Sequence, residues 1–416
     1  MISIHRSLVI TFTLVLMLST VVTVSQGYSQ TIPIYSASED TPVYQPSIIQ
    51  NWETSRVRDI FVIPDQDLYF IATSADGIML LRKTTENTFE KVPDDSLYWS
   101  QFQINTLYGV AATAVTSPTG EISGYLFLAA GAQGLIAFNY SISNRYGLLM
   151  SKMWTYRQEA SITQQVLLGD GIMKNKLIVT EGPQGLSILD ISDPTILKVS
   201  YTIPITQFFG KITYRSFISN DLLFVSNGEE GLVEFKVTPT SYLRYAIYKT
   251  EGIQGLTISS RYVPEIDAVI TSEGEFGALI YQEKGSELLP TPDAEAGYVT
   301  DGYLISLSVA SSESGEATLI LSKTYAGWEE IKITQKNDGT YTISPIKKVE
   351  DISASLVLKI TDNPEKYLVG GWDGNISYVS LHEQTNTGNQ AFLDIPIYYY
   401  MFLVFVIMPV IRKLRK

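Results

Sequence analysis

The sequence predicts an all-β protein: a seven-bladed β-propeller of four-stranded antiparallel blades, with an N-terminal signal and one C-terminal transmembrane helix. Three observations lead to this fold class. A strand–turn–strand unit recurs along the chain, its short apolar runs are rich in β-branched and aromatic residues, and a charge-free apolar segment lies near each end. Between those ends no segment carries a sustained helical period, so the repeats are expected to fold as strands.

The repeat is marked by a glycine that ends the turn between two apolar runs. Successive repeat glycines are separated by 57, 51, 46, 46, 50 and 47 residues. A period of about 40–50 residues with strand signals is typical of propeller blades. The repeat glycines are Gly77, Gly134, Gly185, Gly231, Gly277, Gly327 and Gly374.

The seventh unit supplies three strands, at residues 356–360, 366–370 and 376–381. An unpaired outer edge would expose backbone groups and invite aggregation. Residues 47–52, ahead of the first unit, have the apolar content of the missing strand. We therefore expect residues 47–52 to pair with the seventh blade and close a propeller that spans residues 46–384.

The two ends predict export and membrane attachment. Arg6 followed by a charge-free apolar stretch is typical of a signal peptide, here residues 1–27, and a linker follows at 28–45. Residues 395–411 are free of charge and precede a basic tail at 412–416, the pattern of a transmembrane helix with a cytoplasmic end. With a juxtamembrane linker at 385–394, the prediction is a single-pass type I protein in the cell membrane, its main domain extracellular.

Composition excludes several classes of function. Residues 28–392 hold 42 carboxylates against 25 basic side chains, a net charge of −17, which argues against nucleic acid as a partner. The chain has no cysteine, so disulfides, thiolate metal sites and cysteine nucleophiles are excluded. His382 is the one histidine outside the signal, which makes a histidine-based triad or a histidine zinc site improbable.

The third unit carries a more specific motif. Residues 185–194 read GLSILDISDP, a strand that runs into a turn closed by Asp-Pro. This stretch resembles the LVIVD repeat, a propeller-type module of prokaryotic surface proteins. The second and fourth units keep only the Gly-Leu pairs at 134–135 and 231–232. The resemblance implies the propeller fold and a cell-surface location, and it implies no activity.

The turns before the repeat glycines are acidic and hold a single lysine, Lys323. Gathered round one mouth, their carboxylates would focus negative potential, attract a cationic partner, or provide oxygen ligands for calcium. Solvated turn residues are the alternative interpretation, and a carboxylate pair that acts on a glycoside is another. The acidic candidates are Asp76, Glu181, Glu229, Glu230, Glu273, Glu275 and Asp373.

The same turns carry aromatic rings suited to stacking on sugars or apolar ligands: Phe276, Tyr325 and Trp372. Asn139 and Asn375 each begin an Asn-x-Ser triplet and are candidate glycosylation sites. No catalytic residue is predicted, because no nucleophile elbow or P-loop occurs.

The sequence therefore favours a membrane-anchored extracellular propeller that binds a protein or glycan ligand. A calcium-dependent hydrolase of lactonase or glycosidase type and a structural component of a surface layer remain as alternatives. Calcium is the one cofactor that the acidic turns suggest.

Overall fold

The structure, a computed structural model, describes residues 32–383 except 39, 86–87, 94–103, 105, 144–145, 250–254 and 284–293. Within these ranges the chain forms thirty β-strands and no α-helix. Short 3-10 helices occur at Pro64–Gln66, Gly171–Met173, Gly182–Gln184, Ile205–Phe208 and Pro264–Ile266.

The strands follow one another along the chain with short connections. The first six are β1 (Ile34–Ser36), β2 (Val43–Glu53), β3 (Val57–Ile63), β4 (Leu68–Thr73), β5 (Gly77–Thr85) and β6 (Thr88–Lys91). The next five are β7 (Gly109–Ala112), β8 (Val115–Thr116), β9 (Ile122–Ala129), β10 (Leu135–Ser143) and β11 (Gly147–Tyr156). Then come β12 (Gln165–Leu168), β13 (Lys176–Thr180), β14 (Gly185–Asp190), β15 (Val199–Pro204), β16 (Ser216–Ser219), β17 (Leu222–Ser226), β18 (Leu232–Val237) and β19 (Tyr242–Tyr248). The last eleven are β20 (Ser259–Val263), β21 (Ala268–Ser272), β22 (Ala278–Gln282), β23 (Ala296–Val299), β24 (Leu304–Glu313), β25 (Glu316–Lys323), β26 (Trp328–Gln335), β27 (Tyr341–Val349), β28 (Leu356–Asp362), β29 (Glu365–Gly370) and β30 (Asn375–Glu383).

Hydrogen bonding groups these strands into six sheets. Three are simple four-stranded meanders: β3-β4-β5-β6, β12-β13-β14-β15 and β16-β17-β18-β19. Two have five strands: β7-β9-β10-β11 with β8 also on β9, and β20-β21-β22-β23 with β1 added in parallel. The sixth sheet is continuous over eight strands, in the order β24-β25-β26-β27-β2-β30-β29-β28.

The first strands of successive units surround a common axis. Along the chain each of β3, β7, β12, β16, β20 and β24 contacts the next first strand, and β28 contacts β3 again. A closed ring of inner strands with the other strands stepping outward is the arrangement of a β-propeller. The ring encloses a central channel, which brings residues from distant parts of the sequence together.

The hydrophobic core lies between neighbouring sheets. Along β4, Leu68, Phe70 and Ala72 face one apolar cluster, while Tyr69 and Ile71 face another on the opposite side of the sheet. Because side chains of a strand alternate between two faces and both faces are covered, the middle strands are apolar throughout. This double burial explains why the sequence shows continuous apolar runs instead of alternation.

The N-terminal strand β2 pairs with the last strand of the chain, as expected from residues 47–52. It runs antiparallel to β30, with Ser47 opposite Ser380 and Trp52 opposite Ile376. Its first two residues, Val43 and Tyr44, also pair in parallel with β27. The strand is thus longer than predicted and bonds to sheet partners on both sides.

The predicted fold class, seven separate four-stranded blades plus a transmembrane helix, is wrong. Five blades of four or five strands stand as separate sheets, and the strands from β24 onward form one eight-stranded sheet. The physical reason is β2, whose two edges bond to β27 and β30 and so join the units on either side of it. What the structure supports is an all-β propeller arrangement with this merged sheet.

The predicted membrane segments have no counterpart in the described part of the chain. None of its helices has the length and apolar character needed to cross a bilayer. The predicted span at residues 395–411 and the predicted signal at residues 1–27 lie outside the described residues.

Candidate functional site

The repeat turns and the segments that join successive units lie on one face of the propeller, here termed the turn face. The backbones of Gly131 and Thr163 exchange hydrogen bonds of 3.1 and 2.9 Å, which tie a repeat turn to the following joining segment. Gly228 and Thr257 do the same at 3.2 and 3.1 Å. The loops of this face therefore form a connected surface.

The repeat glycines shape these turns. All of them have positive φ angles, from 75° at Gly327 to 96° at Gly374, which side chains with a Cβ rarely adopt. A Cβ on Gly185 would also lie 2.3 Å from the carbonyl oxygen of Ile203 on the outer strand. The sequence repeat thus reflects both a backbone conformation and a close approach of two strands.

The structure places the seven predicted acidic residues on five turns, where most have local partners. Glu275 is exposed, as are Asp76, Glu229 and Asp373. Asp76 accepts from the Thr54 hydroxyl at 3.1 Å, Glu229 and Glu230 form ion pairs with Lys211 (3.4 Å) and Lys249 (2.9 Å), and Asp373 accepts from the Asn375 amide at 3.1 Å. Within the described ranges no three carboxylates or histidines are grouped so that they could hold a metal ion.

Two of the acidic candidates, Glu181 and Glu273, are buried between sheets. Burial raises the pKa of Glu181 to about 7, although the Ser187 hydroxyl donates a hydrogen bond to it. Burial likewise raises the pKa of Glu273 to about 7, and the Thr257 hydroxyl lies 2.8 and 2.9 Å from its two oxygens. These carboxyls change protonation near neutral pH instead of forming a solvated acidic mouth.

The predicted stacking residues have different surroundings. Trp372 is half-buried, and the guanidinium carbon of Arg56 lies 3.5 Å from its ring centroid, a cation–π contact. Phe276 is half-buried, whereas the Tyr325 side chain is 70% exposed. Tyr325 is therefore the ring of the three with the most surface for a partner.

The two candidate glycosylation sites differ in access. Asn139 is exposed in the middle of β10, opposite Ser151 and Tyr125 of the flanking strands. Asn375 is half-buried at the start of β30, and Ser377 of its triplet is buried and donates to the side chain of Asn51. Asn139 is the more accessible acceptor.

The structure reveals a group that sequence reasoning missed, the axial arginine cluster of Arg58, Arg215 and Arg261. Arg58 lies on β3, Arg215 directly precedes β16, and Arg261 lies on β20, all on the inner ring. The Arg215 guanidinium donates to the backbone carbonyl of Arg58 at 2.8 Å. Since β3 and β16 are not neighbours in the ring, this bond crosses the central channel.

One carboxylate, Asp59, lies beside the cluster. Its oxygens accept from the backbone N–H groups of Ile60 and Val110, both at 3.1 Å. Burial raises the pKa of Asp59, while the nearby charges of Arg215 and Arg261 act in the opposite direction. No arginine of the cluster forms an ion pair with it within 4.0 Å in the described chain.

Burial and mutual repulsion also lower the pKa values of two of the arginines. Burial and the neighbouring charge of Arg215 lower the pKa of Arg261 to about 10, so the side chain stays protonated at neutral pH. Burial, together with the charges of Arg56 and Arg215, lowers the pKa of Arg58. The channel therefore concentrates positive charge in a protein whose formal net charge is −13.

Aromatic side chains surround the entrance to this cluster on the turn face. We term Tyr108, Tyr214, Tyr303 and Trp372 the aromatic mouth. Three tyrosine rings pack against a glycine at the second position of a repeat turn: Tyr108 on Gly131, Tyr214 on Gly228 and Tyr303 on Gly274. The packing is close, since a Cβ added to any of these glycines would lie 2.8 to 3.0 Å from the ring. The guanidinium carbon of Arg58 lies 5.1 Å from the Tyr108 ring centroid, which links the mouth to the arginines.

Comparison with known proteins identifies the fold and no family. No family model matches the chain, and no curated protein matches it. The chain is similar to the structure of Sqt1 from Saccharomyces cerevisiae, with a TM-score of 0.54, 8% identity, and coverage of 84% of this chain and 100% of that one. It is also similar to the WD40 repeats of RRP9, with a TM-score of 0.51, 9% identity, and coverage of 82% and 99%.

At such low identity the likeness extends to the fold alone. Neither comparison bears on the resemblance of residues 185–194 to the LVIVD repeat, which stays a prediction. The chain has a WD40-like β-propeller fold.

Proposed function

We propose that this protein is an interaction module that binds a protein partner across its turn face. The observation that carries the proposal is the aromatic mouth with Arg56 and the axial arginines behind it. Tyrosine, tryptophan and arginine are the residue types that most often dominate the energy of protein interfaces. The WD40-like fold supports the same role, because its loops form one rigidly held surface.

The charge around the mouth favours a partner with basic groups at the rim of the contact. Asp76, Glu275 and Asp373 are exposed on turns of this face. Complementary charge at a rim increases the association rate more than the final affinity. We therefore expect binding on this face to weaken at higher salt, mainly through slower association.

Two tyrosines provide a matched test. Tyr325 is 70% exposed on a repeat turn, and Tyr146 is 58% exposed between β10 and β11, at the opposite end of β10 from its repeat turn. Full-length protein carrying Tyr325→Ser or Tyr146→Ser is purified from its host with bound proteins, which are quantified by mass spectrometry. Truncation of a hot-spot tyrosine costs about 2 kcal/mol or more, or roughly 30-fold in affinity.

We expect specific proteins to copurify with the unmodified chain and with Tyr146→Ser, and to fall at least ~10-fold with Tyr325→Ser. Partners that are kept by Tyr325→Ser and lost by Tyr146→Ser would place binding on the other face. Equal recovery with all three proteins would contradict a turn-face interface.

We further propose that this surface is displayed outside the cell. Support comes from the sequence alone: Arg6 followed by the charge-free residues 8–24 is typical of an export signal. Protease added to intact cells should digest the propeller; a chain that is cut only after lysis would exclude this location.

A further inference from the structure

We propose that the axial arginine cluster is a binding site for a small phosphate-class oxyanion within the central channel. This inference goes beyond the turn-face interaction and does not depend on any partner protein. It rests on the convergence of three guanidinium groups from three different units of the propeller.

The convergence is a product of the ring. Arg58 comes from the unit that begins at β3, Arg215 from the unit that begins at β16, and Arg261 from the unit that begins at β20. Arg215 crosses to the Arg58 carbonyl at 2.8 Å, and the charges of Arg215 and Arg261 each influence Asp59 on β3. The three groups thus approach a shared space from different sides of the axis.

Most of their donors have no acceptor in the described chain. Arg58 donates from Nε to the Ser74 hydroxyl at 2.9 Å, and Arg261 donates from Nη1 to the Ser260 carbonyl at 2.8 Å. Arg215 makes the single bond to the Arg58 carbonyl. A guanidinium has five N–H donors, so each side chain retains several N–H groups that no described protein atom accepts.

The charge balance of the cluster also favours an anion. The cluster has three guanidiniums and one neighbouring carboxylate, Asp59, on which the charges of Arg215 and Arg261 act and whose oxygens already accept backbone N–H groups. The repulsion between Arg215 and Arg261 contributes to the lowered pKa of Arg261. A bound anion would offset this repulsion, and the low-dielectric walls of a channel strengthen its attraction to the arginines.

The geometry fits a tetrahedral oxyanion better than a single carboxylate. Planar guanidiniums bind phosphate oxygens in pairs of parallel hydrogen bonds. A tetrahedral group has several oxygen–oxygen edges, so each arginine can bind a different edge while neighbouring arginines share oxygens, whereas a carboxylate has a single edge for three guanidiniums. Inorganic phosphate and pyrophosphate are therefore the appropriate probes.

The test uses thermal unfolding and titration calorimetry of the full-length protein. Phosphate or pyrophosphate is added, with sodium chloride at matched ionic strength as the reference. Because a ligand that binds only the folded state raises the unfolding temperature, we expect a saturable rise with the oxyanions and none with chloride. The Arg215→Gln and Arg261→Gln variants should bind at least ~10-fold more weakly, since each loses charge-assisted hydrogen bonds.

Arg157→Gln is the matched control, because Arg157 is exposed outside the channel and its loss changes the net charge equally. It should keep the full response. Arg215→Lys retains the charge without the paired donors and provides a second test should Arg215→Gln fold poorly; it should also bind more weakly. The absence of an oxyanion-specific rise in the unmodified protein, or an unchanged response in both channel variants, would overturn the proposal.

Discussion

Substitution of a repeat glycine tests why this residue recurs in every unit. Gly277 and Gly315 have the same φ angle, +84°, but different surroundings. A Cβ on Gly277 would lie 2.1 Å from the carbonyl oxygen of Tyr298 on β23, whereas a Cβ on Gly315 would meet nothing within 4 Å. The pair therefore separates backbone conformation from close approach.

The expected costs follow from these two terms. Alanine at a positive φ costs about 1–2 kcal/mol at either site. At Gly277 the methyl group must also push β22 and β23 apart, which adds about 1–3 kcal/mol for overpacking and about 1 kcal/mol for a weakened backbone hydrogen bond. Gly277→Ala should thus lower the free energy of unfolding by about 3–6 kcal/mol, and Gly315→Ala by about 1–2 kcal/mol.

Urea unfolding of the full-length protein, followed by tryptophan fluorescence, measures both values. The difference between the variants, about 2–4 kcal/mol, isolates the steric contact because the φ term is shared. Equal destabilisation by the two substitutions would show that the positive φ alone selects glycine, and the close strand approach would then have no energetic role.

Two further substitutions test the buried ionisable groups. Lys323 is fully buried, and its Nζ donates to Glu329 at 2.6 Å and also to Asp301. Lys323→Met should cost about 3–5 kcal/mol, because buried Glu329 loses its cation and keeps the hydrogen bond from the Tyr298 hydroxyl. The double variant Lys323→Met/Glu329→Gln should recover most of that loss in urea unfolding. An equal loss in the double variant would show that packing, not charge, is responsible. Burial raises the pKa of Glu234 to about 7 from 4.5 despite a hydrogen bond from the Tyr248 hydroxyl, so the folded protein binds more protons than the unfolded chain between these values. The contribution of Glu234 to the free energy of unfolding is therefore greatest below pH 4.5 and is lost as pH rises through 7, a fall of up to about 3 kcal/mol. Glu234→Gln should flatten that fall in thermal melts between about pH 5 and 8. An unchanged pH profile would contradict this assignment.

The strands could be located from sequence because each unit obeys local rules. Residues 222–225 read as a strand, and β17 spans Leu222–Ser226. Residues 47–52 are predicted to pair with the last unit, and β2 pairs with β30 of that unit. For β17 a continuous apolar run bounded by turn residues contains the required information, because strands buried on both faces need apolar side chains. The pairing of β2 was predictable from the strand missing in the last unit, since an open sheet edge is avoided.

The grouping of strands into sheets could not be predicted in the same way. The eight-stranded sheet depends on two extra residues of β2, Val43 and Tyr44, which pair with β27. Nothing in their composition distinguishes them from the preceding linker. Backbone geometry where β2 lies between β27 and β30 decides whether this strand bonds to one neighbour or to two. Local residue propensities do not encode that geometry.

The burial of the acidic turn residues also could not be predicted from their place in the sequence. They share positions near the repeat glycines, yet Glu181 is buried and Asp76 is exposed. Glu181 opens its turn and contacts the preceding joining segment, between β11 and β12, since the Ile162 backbone donates to its carbonyl. Glu181 lies four residues before its repeat glycine and Asp76 lies one residue before its own, and this difference in turn position separates a buried carboxyl from an exposed one. Proximity to a repeat glycine therefore does not imply a shared mouth.

The axial arginines could not be found from composition, because net charge averages over the whole surface. The chain has a formal charge of −13, which predicts little attraction for anions. Yet Arg58, Arg215 and Arg261 lie far apart in sequence, and each lies in or directly before the first strand of its unit. A propeller directs one side of every first strand to the same axis, so isolated charges at these positions add up locally even when the total has the opposite sign. In a ring of repeats, the charge that a ligand meets in the channel depends on the inner strands and not on the protein as a whole.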